Sequence, residues 1–432
     1  MFQSPRGTQD ILPEDQAYWR YIEEKAMEVC RLYGFERIET PMFEDTGLFT
    51  RGVGQGTDIV DKEMYTFKDK GDNDITLKPE GTAPACRAYL EHGMHNLPQP
   101  VKLYYFTPIF RYERPQAGRL REHHQFGVEI IGEADPLMDA ELIDMARNFF
   151  RLLGLGGTKI KLNSIGDKAC HPNYVAQLKE YYTGHSEELC TDCKARLERN
   201  PLRLLDCKQE SCQKLADNAP KSVDYLCPDC TAHFESVKKY LGLLKIPYEI
   251  DHHLVRGLDY YTRTVFEVQP EIEGGQSTLA GGGRYDDLIE ELGGKHTPAL
   301  GFGSGIERHV LNLKRQGVVV PPLVKPEVFV AYMGDMARDE ALRLTDVLRR
   351  NGVGVIISVG KSFKSQMRQA NTLGVKQTLI LGEDEVKNRT VTVKDMAGSA
   401  QMCVNLAELD ESLVGVKDKM SLRNDLMVLA HK

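Results

Sequence analysis

Arginines occur at several places in this chain where glycines or bends would let a ligand approach the backbone. Arg256 stands before Gly257 in LVRGLDYYTRTVFE (254–267), and Arg308 follows the glycine-rich run of ALGFGSGIERHVL (299–311). A guanidinium is always charged and offers five donors in a planar fork, which suits phosphate and carboxylate groups. Two tyrosines follow Arg256 and would line the same cleft. An edge hairpin with a surface arginine contains the same residue types, so this pattern alone leaves both interpretations open.

The segment 103–131 holds a dense group of arginines in an otherwise acidic chain. Two apolar, strand-forming runs flank a loop whose tip is marked by Pro115 and Gly118. The arginines of this loop are Arg111, Arg114, Arg119 and Arg121. The formal net charge of the chain is -8, so it is this local cluster, and not the total charge, that predicts contacts with phosphates or carboxylates.

Two carboxylates stand where a ligand could pair with them. Glu80 lies in a Lys-Pro-Glu-Gly-Thr turn, where it would bind an ammonium group or remain a solvated turn residue. The strand after the arginine loop alternates, which places Gln125, Gly127 and Glu129 on one face and apolar residues on the other. A glutamate on a strand otherwise shaped for burial needs a partner. The face that carries Glu129 is therefore predicted to bind a ligand.

These side chains require a framework of helices and strands to position them. Apolar residues at helical spacing predict a helix over 14–33, ended by Gly34, and a second helix near 136–153. Residues 254–267 predict a strand, a tight bend and a second strand. Three consecutive glycines in LAGGGRYDDL (279–288) mark a place where something approaches the backbone closely.

The chain has 432 residues, which leaves room for about three domains. A charged, helix-rich stretch at about 168–245 looks like an insertion into the first domain. A proline-bearing linker at 317–326 precedes a region in which strand-like and helix-like runs alternate. That alternation implies a small C-terminal α/β domain with a partly parallel sheet.

Two common nucleotide-binding signatures are absent from the sequence. The glycine runs lack the G-x-G-x-x-G register, and Gly360-Lys361-Ser362 has Val355 where a phosphate loop needs its first glycine. The N-terminal MFQSPRGTQD has no signal-peptide pattern, and no run approaches the ~18 apolar residues of a membrane span. We therefore expect a cytoplasmic protein with no membrane partner.

Six of the ten cysteines lie between positions 190 and 230. Cys190-x-x-Cys193 and Cys227-x-x-Cys230 have the spacing of zinc-thiolate knuckles, and together they would form one structural zinc site. Cys207-x4-Cys212 lies between them. Reduced thiols buried in a helical domain are the alternative, and the sequence leaves it open.

Several blocks together resemble the bacterial histidyl-tRNA synthetases of class II. They are RGTQD (6–10), KPEGT (78–82), FRYERPQAGR (110–119), LVRGLDYYTRTVFE, AGGGRYDDL (280–288) and GFGSGIER (301–308). The resemblance covers nearly the whole chain and implies an α+β catalytic domain over 1–320, built on a mixed, mainly antiparallel class II sheet and interrupted by the helical insertion. A linker and an α/β anticodon-binding domain would follow over 321–432, and the protein would be a homodimer.

The resemblance implies that the protein activates L-histidine with ATP and Mg²⁺ to histidyl-adenylate and pyrophosphate, and then transfers histidine to the 3′ end of its cognate tRNA. A rival is the regulatory subunit of ATP phosphoribosyltransferase, a non-catalytic paralogue that binds histidine as a signal. That paralogue resembles the enzyme but lacks the anticodon domain and some of the active-site arginines. In this sequence the C-terminal domain is predicted, and Arg111, Arg256 and Arg308 are all present. Another class II specificity is disfavoured by RGLDYY and GGGRYD.

The resemblance also implies roles for individual residues. Arg111 would bridge the amino-acid carboxylate and the α-phosphate, Arg256 would take the place of a metal ion on the α-phosphate, and Arg308 would bind the γ-phosphate. Arg119 resembles a second phosphate-binding arginine. The residues that resemble the histidine-binding set are Glu80, Thr82, Gln125, Glu129, Tyr260 and Tyr261.

Three further positions in the arginine hairpin carry implied roles. Arg114 and Gln116, at the loop tip, resemble residues that read the acceptor end of the tRNA. His123 stands where the family often has a phenylalanine that stacks on adenine. An imidazole can still stack, but it offers less surface, so we expect weaker contact with the base.

Overall fold

The computed structural model describes residues 2–54, 57–115, 119–270, 278–360, 362–398 and 400–407. Contacts within the chain divide it into two compact units, Met1–Pro321 and Pro322–Lys432. Within the described ranges, no helix is both long enough and apolar enough to cross a membrane.

The first unit contains helices and strands in alternation. Its strands are β1 (Glu36–Arg37), β2 (Phe43–Asp45), β3 (Tyr65–Lys68), β4 (Asp74–Leu77), β5 (Val101–Phe110), β6 (Glu122–Ile131), β7 (Thr158–Ser164), β8 (Tyr248–Ile250), β9 (Thr262–Pro270), β10 (Ala280–Arg284) and β11 (Ala299–Gly305). Its helices are α1 (Gln16–Tyr33), α2 (Thr46–Gly52), α3 (Thr82–Glu91), α4 (Leu137–Leu152), α5 (His171–Gly184), α6 (Thr191–Arg199), α7 (Glu210–Asp217), α8 (Pro228–Leu243), α9 (Leu288–Glu291) and α10 (Ile306–Arg315).

An eight-stranded sheet organises this unit, with the strand order β1-β5-β6-β11-β10-β9-β7-β8. The two outermost pairs are parallel, and the pairs between them are antiparallel. A separate antiparallel sheet has the order β2-β4-β3. The prediction of a mixed, mainly antiparallel sheet is confirmed.

The alternation of β6 separates the core from the opposite face of the sheet. Phe126, Val128 and Ile130 are fully buried in a core that also takes residues from α1, α4 and α10. Helix α1 ends at Gly34, whose φ of 74° is the left-handed conformation that glycine adopts without strain. The predicted faces of β6 and the predicted end of α1 are both confirmed.

Residues 254–261 differ from the prediction, because they form a loop where a strand was expected and β9 begins only at Thr262. The backbone groups of this loop are bonded to other segments. Asn163 Nδ2 donates to the Leu254 carbonyl at 3.1 Å, and the Asp259 N–H donates to the Val53 carbonyl at 3.2 Å. These contacts replace the ladder that a strand would have needed.

The stretch predicted as an insertion forms α5 to α8. A small core of its own, in which Tyr174, Leu178 and Tyr182 pack with buried thiols, lies among α5, α6 and α7, whereas α8 packs into the main core of the unit. The two Cys-x-x-Cys motifs do not meet in one site, as the zinc alternative left open by the sequence would have required. Cys190 and Cys193 group with Cys207 and Cys212, whereas Cys227 and Cys230 group with Asp167 and Cys170. The reason is that the two motifs begin different helices, α6 and α8.

The second unit has a five-stranded sheet of order β13-β12-β14-β15-β16. Its elements are β12 (Val328–Tyr332), α11 (Asp335–Arg350), β13 (Val355–Ile357), α12 (Phe363–Leu373), β14 (Gln377–Leu381), α13 (Glu383–Asn388), β15 (Thr390–Asp395) and β16 (Gln401–Asn405). Strand β12 is parallel to β13 and β14, whereas β15 pairs antiparallel with β14 and β16. The predicted partly parallel α/β arrangement is confirmed.

Candidate active site

A buried glutamate forms the centre of a polar pocket on the face of β6 opposite the core. Glu129 is only 1% exposed, and its carboxylate accepts hydrogen bonds from Thr82 Oγ1 and Tyr105 Oη, each at 2.8 Å, and from the Tyr285 hydroxyl. Burial raises the pKa of Glu129 to about 8, against the opposing effect of these donors. The partner predicted for this strand glutamate is therefore a set of three hydroxyls.

A second buried carboxylate lies beside it at the start of α3. Glu80 is 2% exposed and accepts hydrogen bonds from the backbone N–H groups of Thr82 and Ala83, each at 2.7 Å. Burial raises the pKa of Glu80, although these two donors at the helix N-terminus oppose the shift. The Tyr260 hydroxyl lies 3.5 Å from Glu80 Oε2. We call the group formed by Glu80, Thr82, Tyr105, Glu129, Tyr260 and Tyr285 the carboxylate pocket.

Glycines make room for this pocket. A Cβ atom at Gly127 or at Gly81 would lie 2.3 Å from the ring of Tyr105. A Cβ atom at Gly301, on β11, would lie 2.0 Å from Glu129 Oε2. No side chain fits at such distances, so glycine is required wherever the pocket's own residues approach the backbone.

Four arginines from separate segments face a neighbouring cavity of about 210 Å³, which also exposes Gln125 and His123. We call it the arginine cleft. Its arginines come from just after β5, three residues before β6, the loop 254–261 and the first turn of α10, and they are Arg111, Arg119, Arg256 and Arg308.

Each arginine of the cleft is fixed by a contact with the protein. Arg111 Nε donates to the Pro79 carbonyl at 2.7 Å, and Arg308 Nη1 donates to the Thr278 carbonyl at 3.0 Å. Arg119 is half exposed, with Nε 3.6 Å from a Glu113 carboxylate oxygen. A guanidinium carries five N–H donors, so it can bind a protein group and an anion at the same time.

Arg256 occupies the same kind of glycine-cleared space. Its Nη1 donates to Glu267 Oε1 at 2.8 Å, and its guanidinium lies 5.5 Å from the ring centre of Tyr261. A Cβ atom at Gly281, on β10, would lie 2.4 Å from Arg256 Nη1. Gly281, in the triple glycine of β10, thus lets the Arg256 guanidinium lie against the sheet.

The cleft is strongly cationic. Burial, with the charge of Arg119 as the next cause, lowers the pKa of Arg308. Burial and the charges of Arg111 and Arg308 lower the pKa of His123 to about 3, so its imidazole is neutral near pH 7. Several positive charges held together at a cavity are the arrangement of an anion site.

Gln125 lies between the two regions, four residues before Glu129 on the same face of β6 and thus ~13 Å from it along the strand. Its Oε1 is buried without a hydrogen-bond partner among the described residues. A Cβ atom at Gly303 would lie 2.1 Å from Gln125 Nε2. A buried, unsatisfied polar atom beside a cavity is typical of a ligand-binding position.

Apart from the loop tip and Tyr261, the predicted site residues are thus brought together into two adjoining regions. Tyr261 contacts a member of each, because its ring centre lies 4.8 Å from that of Tyr260 and 5.5 Å from the Arg256 guanidinium. Arg114 is exposed and lies outside both regions, and Gln116 falls outside the described residues. Tyr105 and Tyr285 were not predicted. The register pairs Tyr105 with Gly127 across β5 and β6, so the alternation of β5 could have placed Tyr105 on the site face.

A mainly antiparallel sheet that directs arginines from a hairpin and from the start of a helix into one cleft, without a phosphate loop, defines a class II aminoacyl-tRNA synthetase. Comparisons with known proteins agree. The family profile described as "Histidyl-tRNA synthetase" matches residues 7–308, and that described as "Anticodon binding domain" matches residues 327–415.

Individual relatives match over nearly their full length. A histidine–tRNA ligase of Dehalococcoides mccartyi is 57% identical over 410 residues, which cover 95% of this chain and 98% of that protein. One of Caldanaerobacter subterraneus is 49% identical over 411 residues, covering 95% and 99%. The crystal structure of apo Staphylococcus aureus histidyl-tRNA synthetase has a TM-score of 0.79 and 40% identity, covering 96% of this chain and 100% of that one.

The chain therefore belongs to the histidyl-tRNA synthetase family. Its reaction is that of a histidine–tRNA ligase, in which L-histidine is activated with ATP to histidyl-adenylate and then transferred to the 3′ end of its tRNA.

Proposed function

We propose that the carboxylate pocket binds L-histidine and the arginine cleft binds ATP, so that activation takes place where the two regions meet at Gln125. The single observation that carries this proposal is the shared face of β6. Glu129 and Gln125 lie on that face, and two arginines of the cleft, Arg111 and Arg119, lie in the connection between β5 and β6. The amino acid and the nucleotide would thus be oriented by one rigid element.

In the carboxylate pocket, Glu129 would accept a hydrogen bond from the substrate imidazole. Glu80 and Thr82 would bind the α-ammonium group, Gln125 the amino-acid backbone, and Tyr260 and Tyr261 would line the imidazole. A buried site built to hydrogen-bond its substrate rejects analogues that leave its polar groups unpaired. Tyr105 and Tyr285 support this assignment, because their hydroxyls fix the carboxylate of Glu129.

In the arginine cleft, Arg111 and Arg256 would bind the α-phosphate, and Arg308 and Arg119 the outer phosphates. The histidine carboxylate attacks the α-phosphorus, the bond to the bridging oxygen of pyrophosphate breaks, and pyrophosphate leaves. Charge on the phosphate oxygens is stabilised by fixed guanidinium groups, which need no reorganisation during the reaction. The terminal ribose hydroxyl of the tRNA then attacks the mixed anhydride, and no covalent enzyme intermediate is needed.

Magnesium fits the donor set of the cleft, because it prefers carboxylate oxygens together with phosphate oxygens. Glu113 lines the cleft, and its buried Oε2 accepts no hydrogen bond among the described residues and has only the longer 3.6 Å ion pair with Arg119 Nε. The Glu307 carboxylate, in contrast, already accepts from the His124 N–H at 2.9 Å. We assign Glu113 as the residue that would hold Mg²⁺, which neutralises phosphate charge when bound.

The remaining assignments concern the tRNA and the assembly. We propose that residues 1–320 form the catalytic domain and 321–432 the linker and anticodon-binding domain, with Arg114 and Gln116 reading the acceptor end. We further propose a cytoplasmic homodimer. Sedimentation equilibrium of the full chain tests the dimer, since a mass near 48.7 kDa at micromolar concentration would contradict it.

Histidine-dependent exchange of pyrophosphate into ATP tests the active-site proposal, with the other amino acids run beside it. We expect exchange with histidine alone, because exchange requires the histidine pocket and the ATP cleft together. Binding of histidine without exchange would contradict the assignment of the arginine cleft to ATP. Exchange with several amino acids would instead contradict the specificity given to the carboxylate pocket.

A further inference from the structure

The insertion contains two groups of four side chains whose ligand atoms converge, and the catalytic proposal uses neither. The first group is Cys190, Cys193, Cys207 and Cys212. The second is Asp167, Cys170, Cys227 and Cys230. Within each group, all four sulfur or carboxylate oxygen atoms lie within 4.8 Å of one another, although their residues are up to 63 positions apart in the chain.

The two Cys-x-x-Cys motifs have the same local structure. Cys190 is the N-cap of α6, with φ -67° and ψ 163°, and Cys227 is the N-cap of α8, with φ -68° and ψ 165°. In each motif the second cysteine lies in the first turn of the helix, so both thiols point to one side of the helix N-terminus. The first motif is completed by Cys207 and Cys212, near the start of α7, and the second by Cys170, the N-cap of α5.

The spacing of the thiols suits a metal better than a disulfide. In a tetrahedral site with Zn–S bonds of about 2.3 Å, the sulfurs are about 3.8 Å apart. Cys190 Sγ and Cys207 Sγ are 4.0 Å apart, whereas a disulfide needs about 2.05 Å. Backbone N–H groups also point at the sulfurs, since the Cys190 N–H lies 3.3 Å from Cys212 Sγ and the Asp167 N–H lies 3.4 Å from Cys170 Sγ. Such outer contacts stabilise thiolate ligands.

Charge at both groups is also compatible with bound metal. Four anionic ligands around a divalent ion leave a net negative charge, which helix N-termini offset. The first group lies at the starts of α6 and α7, and the second at the starts of α5 and α8. Arg263 Nη2, 3.3 Å from Asp167 Oδ2, adds a cation to the second group.

We propose that the insertion binds two structural zinc ions, one held by Cys190, Cys193, Cys207 and Cys212, and the other by Asp167, Cys170, Cys227 and Cys230. Each thiol loses its proton on binding. Both sites have four protein ligands and no open position, so neither ion takes part in the reaction.

The two ions would brace the loop 254–261 from both sides. Helix α6 leads directly to Asn200, whose Nδ2 donates to Asp259 Oδ1 at 3.0 Å, one residue before Tyr260. Asp167 contacts Arg263 just beyond the loop, and the Arg263 N–H donates to the Gly166 carbonyl at 2.6 Å. These contacts add to the hydrogen bonds that Asn163 and Val53 make with the loop that carries Arg256.

Elemental analysis of the full, untagged chain, purified without chelator, tests the proposal. We expect about two moles of zinc per mole of chain, and about one for either Cys193→Ala/Cys212→Ala or Cys230→Ala. Cys403→Ala is the matched control, because this exposed thiol belongs to the second unit and should leave the zinc content unchanged. Zinc below about a tenth of a mole, a different metal, or disulfides in mass spectra of the unreduced protein would overturn it.

A second test uses the unaltered protein, so it does not depend on whether the cysteine variants fold. Iodoacetamide alkylation is mapped by peptide mass spectrometry before and after a zinc chelator. The proposed ligand cysteines should become reactive only after metal removal, whereas Cys403 should react throughout. Equal labelling of the ligand cysteines with and without chelator would overturn the proposal. If the unaltered chain holds only one mole of zinc, and only one of the two variants loses it, the site changed in the other variant does not bind zinc.

Discussion

The carboxylate pocket and the arginine cleft adjoin on one face of the same sheet, yet one buries acidic groups and the other buries basic groups. In the pocket, burial raises the pKa of Glu129 to about 8, although hydrogen bonds from three hydroxyls oppose the shift. In the cleft, arginines face one another, and burial with the neighbouring charge of Arg119 lowers the pKa of Arg308. The pocket holds its hydrogen-bonding groups in place to select a substrate, whereas the cleft concentrates positive charge that a bound anion would neutralise.

Glycines serve both regions in the same way. Gly301 clears space for Glu129, and Gly281 clears space for Arg256, from neighbouring strands. Glu129 and Arg256 can therefore lie flat on the sheet, closer to the backbone than they could if these two glycines carried a Cβ atom. One backbone surface can therefore carry two sites of opposite charge, because glycines let the side chains of each site lie against the strands.

Breaking the cleft should have the largest effect. We expect Arg256→Ala to reduce the rate of pyrophosphate exchange by about 10²- to 10³-fold, because one fixed donor to transition-state charge is lost. Adding Glu267→Gln controls for the carboxylate left unpaired by the variant. Exchange at the rate of the unaltered enzyme would refute the role of Arg256.

Breaking the pocket should affect histidine and spare ATP. We expect Glu129→Gln to lower kcat/KM for histidine by about 10²-fold, since the amide nitrogen of Gln cannot accept a hydrogen bond, whereas both carboxyl oxygens of Glu129 accept from hydroxyls. The KM for ATP should stay within about twofold. Equal increases in the KM for histidine and the KM for ATP would contradict the assignment of the two substrates to separate regions.

The raised pKa of Glu129 predicts a pH dependence of stability. Between about pH 4.5 and pH 8 the folded protein keeps a proton that the unfolded chain has lost, so stability falls as pH rises. Relative to Glu129→Gln, the unaltered protein should lose stability on the order of a few kcal/mol between about pH 5 and pH 8. Urea unfolding of both proteins at the two pH values measures this difference, and parallel pH profiles would contradict it.

Two glycine variants sharpen the comparison without removing a functional group. Gly303→Ala displaces Gln125 and should raise the KM for histidine about tenfold, whereas Gly281→Ala displaces Arg256 and should raise the KM for ATP by a similar factor. Gly156→Ala is the control, because a Cβ atom there meets nothing within 4 Å. Identical effects of Gly303→Ala and Gly281→Ala on both substrates would argue against distinct regions.

The smallest change is expected from His123→Phe. His123 is neutral near pH 7 because its pKa is lowered to about 3, so its substitution removes no charge from the cleft. A larger ring should lower the KM for ATP about two- to fivefold, if it stacks on adenine. An unchanged KM for ATP with an unchanged rate would place His123 away from the base.

The sequence by itself determined the local features of this protein. Helical spacing located α1, alternation separated Glu129 from the core residues of β6, and residue types identified the arginines and carboxylates of the site. These features depend on periods of two or 3.6 residues and on side-chain chemistry, both of which are written in short stretches of chain.

Tertiary structure decided what distant segments do to one another. It turned the strand-forming residues 254–261 into a loop, brought Tyr105 and Tyr285 to Glu129, and divided the cysteines into groups that their spacing did not predict. The physical reason is that a backbone or side-chain group is satisfied by whichever partner packing brings near it. Spacing along the chain cannot specify that partner when it lies dozens of residues away.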